Sequence, residues 1–137
     1  MAATIKLVDY FYLQVANKPG EGAKVLSALK KAKVNLLVFS GFPEGRQGQL
    51  DVVPEDPKAF TKVAEQNEWG IVGPKKAFWI HDEDKIGAVG DTLDKLALAG
   101  VNVTATTAMC AGAGRYGMIL WVNAADVKKA SRALGVD

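Results

Sequence analysis

One histidine, one cysteine and a run of three carboxylates invite a catalytic reading of this chain. His81 lies beside Asp82, Glu83 and Asp84, and Cys110 follows 29 residues later. A Cys–His nucleophilic pair needs hydrogen-bond reach and an orienting partner. His81 and Cys110 are expected at one end of two strands separated by a third, with axes roughly 9–10 Å apart. Reach then requires both side chains to lean inward. Cys110 is therefore read as a small buried residue, and His81 as a strand-end residue that lines a ligand loop. A metal set from His81 to Asp84 is opposed by the alternation of strand side chains between two faces, so neither metal nor cofactor is expected. Gly112-Ala-Gly-Arg-Tyr-Gly117 looks like a phosphate loop, but it is predicted between two strands. Nucleotide fingerprints need a helix after the loop, so it is read as a hairpin with Arg115 as a candidate anion contact.

A different set of residues recurs. Phe11 to Asn35, FYLQVANKPGEGAKVLSALKKAKVN, is written again as Phe78 to Asn102, FWIHDEDKIGAVGDTLDKLALAGVN. Matched positions differ by 67: Phe11 and Phe78, Gly20 and Gly87, Leu26 and Leu93, Leu29 and Leu96, Asn35 and Asn102. Each copy predicts a strand, a polar loop ending in Gly, an amphipathic helix and a Val-Asn step into a second strand. A repeat of this length sets the number of structural units before length can. The expected units are residues 1–73 and 74–137. Domains this small bury little surface alone, so each is expected to lean on its twin or on another chain.

The elements follow in order. Residues 5–15 alternate as a strand. Asn17-Lys18-Pro19-Gly20 breaks it, with Asn able to cap the helix. That helix carries Gly22, Val25, Leu26, Leu29 and Ala32 on its apolar face. Leu36 to Phe42 and Gln49 to Val53 form a hairpin, and Asp56-Pro57 opens a second helix. Gly70 to Val72 is at best a short strand, and Gly73-Pro74 ends the unit. The second unit repeats this order, with Ile86, Val89, Leu93, Leu96 and Gly100 on its first helix's apolar face. A fourth strand of that unit is barely started at the C-terminus. The residues ahead of Asp9 are free to pair along that edge instead.

Composition sets bounds. Apolar residues make up 49% and charged residues 23% of the 137, an ordinary globular mix. The formal net charge of +2 gives no ground for a nucleic-acid partner. The single cysteine excludes an intramolecular disulfide and fits a reducing, cytoplasmic setting. No apolar run approaches the roughly 20 residues that cross a bilayer, so no membrane association is expected, and the first ten residues do not read as a secretory signal.

Strand-helix-strand-strand-helix-strand, twice, is an α+β plan of two ferredoxin-like βαββαβ units, with antiparallel sheets and helices on one face. Phe11, Leu13, Val15, Phe78 and Ile80 have the parity to face the helices. Tyr12 and Trp79, joined by Ile119 and Trp121, fall on the other face. An open sheet face bearing large aromatics is expected to be covered, most simply in a homodimer.

The chain resembles the ACT-domain family in its stand-alone tandem form, over residues 9 to 134. The resemblance rests on Asn17-Lys18-Pro19-Gly20 with Lys33-Val34-Asn35, and on Asp84-Lys85-Ile86-Gly87 with Gly100-Val101-Asn102. Ile86 stands where the family usually has Pro. The resemblance implies a non-catalytic regulatory protein that senses an amino acid or similar small molecule and acts beside a metabolic enzyme.

Topology then locates a ligand. A strand of five or six residues spans roughly 17–20 Å, so Asn17 and Asn35, at opposite sheet ends, cannot grip one small molecule within a unit. Two units related by a two-fold can. The pairs are Asn17, Lys18, Pro19 and Gly20 with Asn102, and Asp84, Lys85, Ile86 and Gly87 with Asn35, His81 lying at the edge of the second. Amides at a glycine-containing helix start hold a carboxylate, and an asparagine meets an ammonium or a carboxylate. Asp84 at the place of Asn17 favours an ammonium, so the two sites are unequal. Against this stands a reading in which Asn17 is only a helix cap and the glycines only serve turns. Two alternative functions differ in class. One is a small ferredoxin-like enzyme with a pocket joining His81, Cys110 and Arg115. The other is a structural interaction module that works through its aromatic sheet face.

Overall fold

The computed structural model describes residues 3–136. The elements are β1 Thr4–Ala16, α1 Glu21–Lys31, β2 Leu36–Glu44, β3 Gln47–Pro54, α2 Pro57–Gln66, β4 Val72–Glu83, α3 Ala88–Leu98, β5 Val103–Gly112, β6 Arg115–Val122 and α4 Val127–Leu134. No helix among the described residues is long and apolar enough to cross a membrane. The order is βαββα written twice, the ferredoxin-like α+β plan expected from the repeat.

The chain forms two compact units. One is Asp9–Lys75; the other joins the stretch ending at Val8 to the stretch beginning at Lys76. In the first, β1 and β2 both pair antiparallel with β3, and the start of β4 neighbours β1. In the second, β4 and β5 both pair antiparallel with β6, and the start of β1 neighbours β4. Residues 4–8 of β1 therefore serve as a strand of this unit, and Ile5 and Leu7 pack on its core.

Alternation sorts the side chains as the parity argument required. Phe11, Leu13, Leu50 and Val52 meet Val25 and Leu29 of α1 and Phe60 and Val63 of α2. Phe78, Ile80, Met118 and Leu120 meet Leu96 of α3 and Ala130 and Leu134 of α4. Each fully buried Phe or Leu contributes on the order of 2 kcal/mol through removal of apolar surface from water.

Three local expectations are corrected. The short strand expected over Gly70 to Val72 is instead the start of β4, which begins at Val72 and runs on through Gly73-Pro74. Gly73 sits so close to β1 that an added Cβ would lie 2.8 Å from the Tyr10 carbonyl oxygen and 2.9 Å from the Phe11 ring. The glycine is there for this approach, which a local breaker rule does not see. Leu26 is not core but rim, and Ile86 lies outside α3, fully exposed. Cys110 is exposed rather than buried, because nearly every side chain of β5 is.

Candidate functional site

The two matched loops are built alike. β1 ends at Ala16, and Asn17 to Gly20 turn the chain into α1. β4 ends at Glu83, and Asp84 to Gly87 turn it into α3. Gly20 and Gly87 occupy the cap positions in the left-handed region, at φ 89° and 83°. A side chain there is disfavoured by its Cβ, so glycine is required by conformation. A Cβ at either position would meet nothing within 4 Å, so the space above each loop is open.

No side chain caps α1 or α3. Asn17 is therefore not the helix cap, and Pro19 lies before the first turn instead of in it. The contrast is α2, where Asp56 Oδ1 accepts from the Lys58 and Ala59 amides at 3.1 and 3.2 Å. α4 also lacks a side-chain cap, but a 3-10 turn over Ala124–Asp126 leads into it. Unsatisfied amides at a helix start attract an anion, helped by the helix dipole. In α1 and α3 the first amide donates back to the loop, Glu21 to the Lys18 carbonyl at 3.5 Å and Ala88 to the Lys85 carbonyl at 3.2 Å. The next amides have no side-chain cap, and the loop residues 17–20 and 84–87 are all exposed.

Asn35 and Asn102 sit just before β2 and β5. Asn35 is tied to the start of α2: its Nδ2 donates to Glu55 Oε2 at 3.4 Å, and its carbonyl accepts from the Glu55 amide at 2.9 Å. The register fixes the distance from the loop. Ala16 and Glu44 both pair with Gln47, whereas Leu36 pairs with Pro54. Seven steps of β3 separate these ends, about 23 Å at a strand's rise. The same holds in the second unit, where Glu83 pairs with Arg115 and Val103 with Val122. Within a unit, then, neither asparagine reaches its own loop, as the topological argument required.

The second loop has firmer neighbours than the first. The Asp84 amide donates to the Gly114 carbonyl at 2.9 Å, which fastens the β5–β6 hairpin to it. Arg115 Nη2 lies 2.6 Å from His81 Nδ1. A guanidinium only donates, so Nδ1 is the acceptor and the ring proton sits on Nε2. The imidazole also meets the edge of Trp79, with centroids 5.0 Å apart. Cys110 turns elsewhere. It pairs with Tyr116 while His81 pairs with Gly117, and neighbouring residues of β6 point to opposite faces. A hydrogen bond with the Asp84 carboxylate, whose charge also lies close, holds the Cys110 thiol above its ordinary pKa. That disfavours the thiolate a nucleophile needs. Cys110 thus lies on the other sheet face from His81. Among the described residues no group of three or more His, Cys, Asp or Glu could hold a metal ion.

On the sheet face away from the helices, each unit carries the same contact. Lys75 Nζ lies 5.3 Å from the Tyr12 ring centroid, and Lys6 Nζ 5.6 Å from that of Trp79. Tyr12 and Trp79 are matched positions of the repeat.

Beyond the first loop, Glu21 pairs with Lys24 at 2.8 Å. There an open cleft of about 440 Å³ lies between the end of β1, α1 and the turn after α2. Glu68 and Trp69, which line it, were passed over by the sequence reading. The available signal was the comparison of twins, which sets them against Gly135 and Val136.

No family model and no curated protein matches the sequence. Solved structures do. Protein BT0572 from Bacteroides thetaiotaomicron is similar at TM-score 0.81 and 18% identity, over 97% of this chain and 92% of that one. The regulatory subunit of aspartate kinase from Thermus thermophilus, in a ligand-free form, is similar at TM-score 0.66 and 16% identity, over 97% and 94%. That from Thermus flavus is similar at 0.61 and 14%, over 98% and 95%. At these identities the likeness is one of fold, the α+β, ferredoxin-like plan.

Proposed function

We propose that this chain is a non-catalytic regulatory protein that binds an amino acid or a similar small molecule. The observation that carries the reading is the pair of uncapped helix starts at α1 and α3, each opened by a left-handed glycine beneath open space. The fold shared with aspartate kinase regulatory subunits supports it. The ligand's carboxylate lies on the amides that begin a helix. An asparagine from a second unit completes the site: Asn102 for the Asn17–Gly20 loop, Asn35 for the Asp84–Gly87 loop. The assembly is a homodimer, and its ligand-stabilised arrangement is read by a metabolic enzyme in the cytoplasm. Ligand shifts that arrangement only as far as it binds one state better than the other.

A thermal-shift screen against the twenty amino acids and related metabolites tests this. A ligand at about 100 times its Kd adds about 2.7 kcal/mol to native stability. One selective hit, weakened by Asn17→Ala and by Asn102→Ala, is the expected result. A flat screen with the dimer intact would sink the reading. It would favour an interaction module working through the face of Tyr12 and Trp79, where the repeated lysine–aromatic contact lies.

A further inference from the structure

The cleft beside α1 belongs wholly to the Asp9–Lys75 unit and is independent of the loop reading. Its volume of about 440 Å³ falls within the range of small-molecule sites, roughly 300–1,000 Å³. Leu13, Val25 and Trp69 give it an apolar wall, and Glu21, Asn67 and Glu68 give it polar groups.

Those polar groups are not demanded by the fold. The second unit builds the same elements with Ala88 at the place of Glu21, Asp91 for Lys24, Leu134 for Asn67, Gly135 for Glu68 and Val136 for Trp69. Glu68 even holds a left-handed backbone, at φ 57°, that suits glycine better. Strain of this kind collects where a side chain is needed for function.

Beside Gln14 and Lys24, which also line the cleft, the remaining polar groups present acceptors. Glu21 and Glu68 are carboxylates. Asn67 donates its Nδ2 to the Val63 carbonyl at 2.9 Å, which leaves its oxygen as an acceptor. An acceptor-rich cleft calls for a donor-rich, cationic ligand. The chain supplies its own stand-in. Lys24 Nζ lies 2.8 Å from Glu21 Oε2, yet the lysine side chain is 76% exposed against 17% for the glutamate. The glutamate is largely covered, and the lysine that meets it projects into solvent. Trp69 offers a ring face that attracts a cation and packs on an alkyl stem.

We propose that this cleft binds a small primary amine on an apolar stem, whose ammonium takes the place of Lys24 at Glu21. Lys24 is thus an internal competitor for the site.

The full chain, labelled with nitrogen-15, is titrated with n-pentylamine and 1,5-diaminopentane, and the Trp69 indole resonance is followed. Saturable shifts with the amines, and none with 1-pentanol or pentanoate, are expected. Lys24→Met tightens amine binding severalfold, and Glu21→Gln weakens it about tenfold through loss of a charge-assisted contact. Asn17→Ala leaves it unchanged, which separates this site from the loop. The proposal is overturned by any one of three results. These are no saturable shift in wild type and Lys24→Met, equal binding of pentanol, or equal amine affinity in Glu21→Gln. Should Glu21→Gln not fold, the amine–alcohol comparison and Lys24→Met decide alone.

Discussion

Glu68 and Gly135 are matched positions of the repeat, Glu68 two residues past α2 and Gly135 next after α4, and both adopt a left-handed backbone at φ 57° and 76°. The turn is identical in its hydrogen bonds. Trp69 donates to the Ala64 carbonyl at 2.9 Å, and Val136 to that of Ser131 at 2.8 Å. Lys33 and Gly100 repeat the relationship at the first helix of each unit, at φ 60° and 73°. The first unit thus holds two side chains where the second holds glycine.

Replacing either is expected to help. Lys33→Gly and Glu68→Gly each remove a Cβ from a conformation it opposes, against some extra entropy in the unfolded chain. The net gain is about 0.5–1 kcal/mol apiece. Urea denaturation reads it, with the midpoint rising and the slope unchanged. Glu68→Gly should also weaken amine binding, whereas Lys33→Gly should not.

Gly73→Ala should act in the opposite direction and more strongly. Its methyl would press on the Tyr10 carbonyl and the Phe11 ring, at a φ of 134°. Overpacking against backbone together with the strained φ costs about 2–4 kcal/mol. Gly20→Ala meets open space and pays only for its conformation, about 1 kcal/mol. Thermal melts of the two variants should differ accordingly. An equal loss would mean that Gly73 is not pressed against β1.

Capping separates stability from binding. Asp56→Ala deprives α2 of two accepted hydrogen bonds and should cost about 1 kcal/mol. Asn17→Ala touches no cap and should move stability by less than about 0.5 kcal/mol. A large loss from Asn17→Ala would restore the cap to that residue and remove it from the ligand site.

Asp51 sets a pH dependence. Burial raises its carboxyl above the ordinary value of 3.8, while the Gln49 hydrogen bond and the Lys75 charge pull it down less strongly. The native chain therefore takes up this proton at a higher pH than the unfolded chain does. Between the ordinary and the raised values the native state holds more protons, so this group's contribution to stability falls as pH rises through that window. Asp51→Asn should erase that slope and leave the chain more stable above the window. Urea midpoints taken across the acidic range would show it. An unchanged slope would assign the dependence to another carboxyl.

Much of this was legible in the repeat. Phe11 with Phe78, and Leu29 with Leu96, are matched pairs in sequence, and all four side chains are at most 2% exposed. Asp56-Pro57 announced a helix start through chemistry confined to three residues. The misreadings share a cause, because each depended on something outside its own window. Gly73 reads as a breaker until β1 is seen pressed against it. Asn17 reads as a cap until Gly20 is seen to take the position. Cys110 reads as core because thiols usually are, whereas β5 lies at the margin of its sheet. Glu68 gives no local sign of its left-handed turn, and only its twin betrays it.

The sharing of β1 and β4 has a consequence for how this chain can be cut. A gene fragment ending or starting near Gly73 would encode a contiguous half that lacks a strand, and the second half would lose Ile5 and Leu7 from its core. A circular permutant that begins near Lys76 and joins the old termini would instead keep each compact body on one unbroken piece of chain.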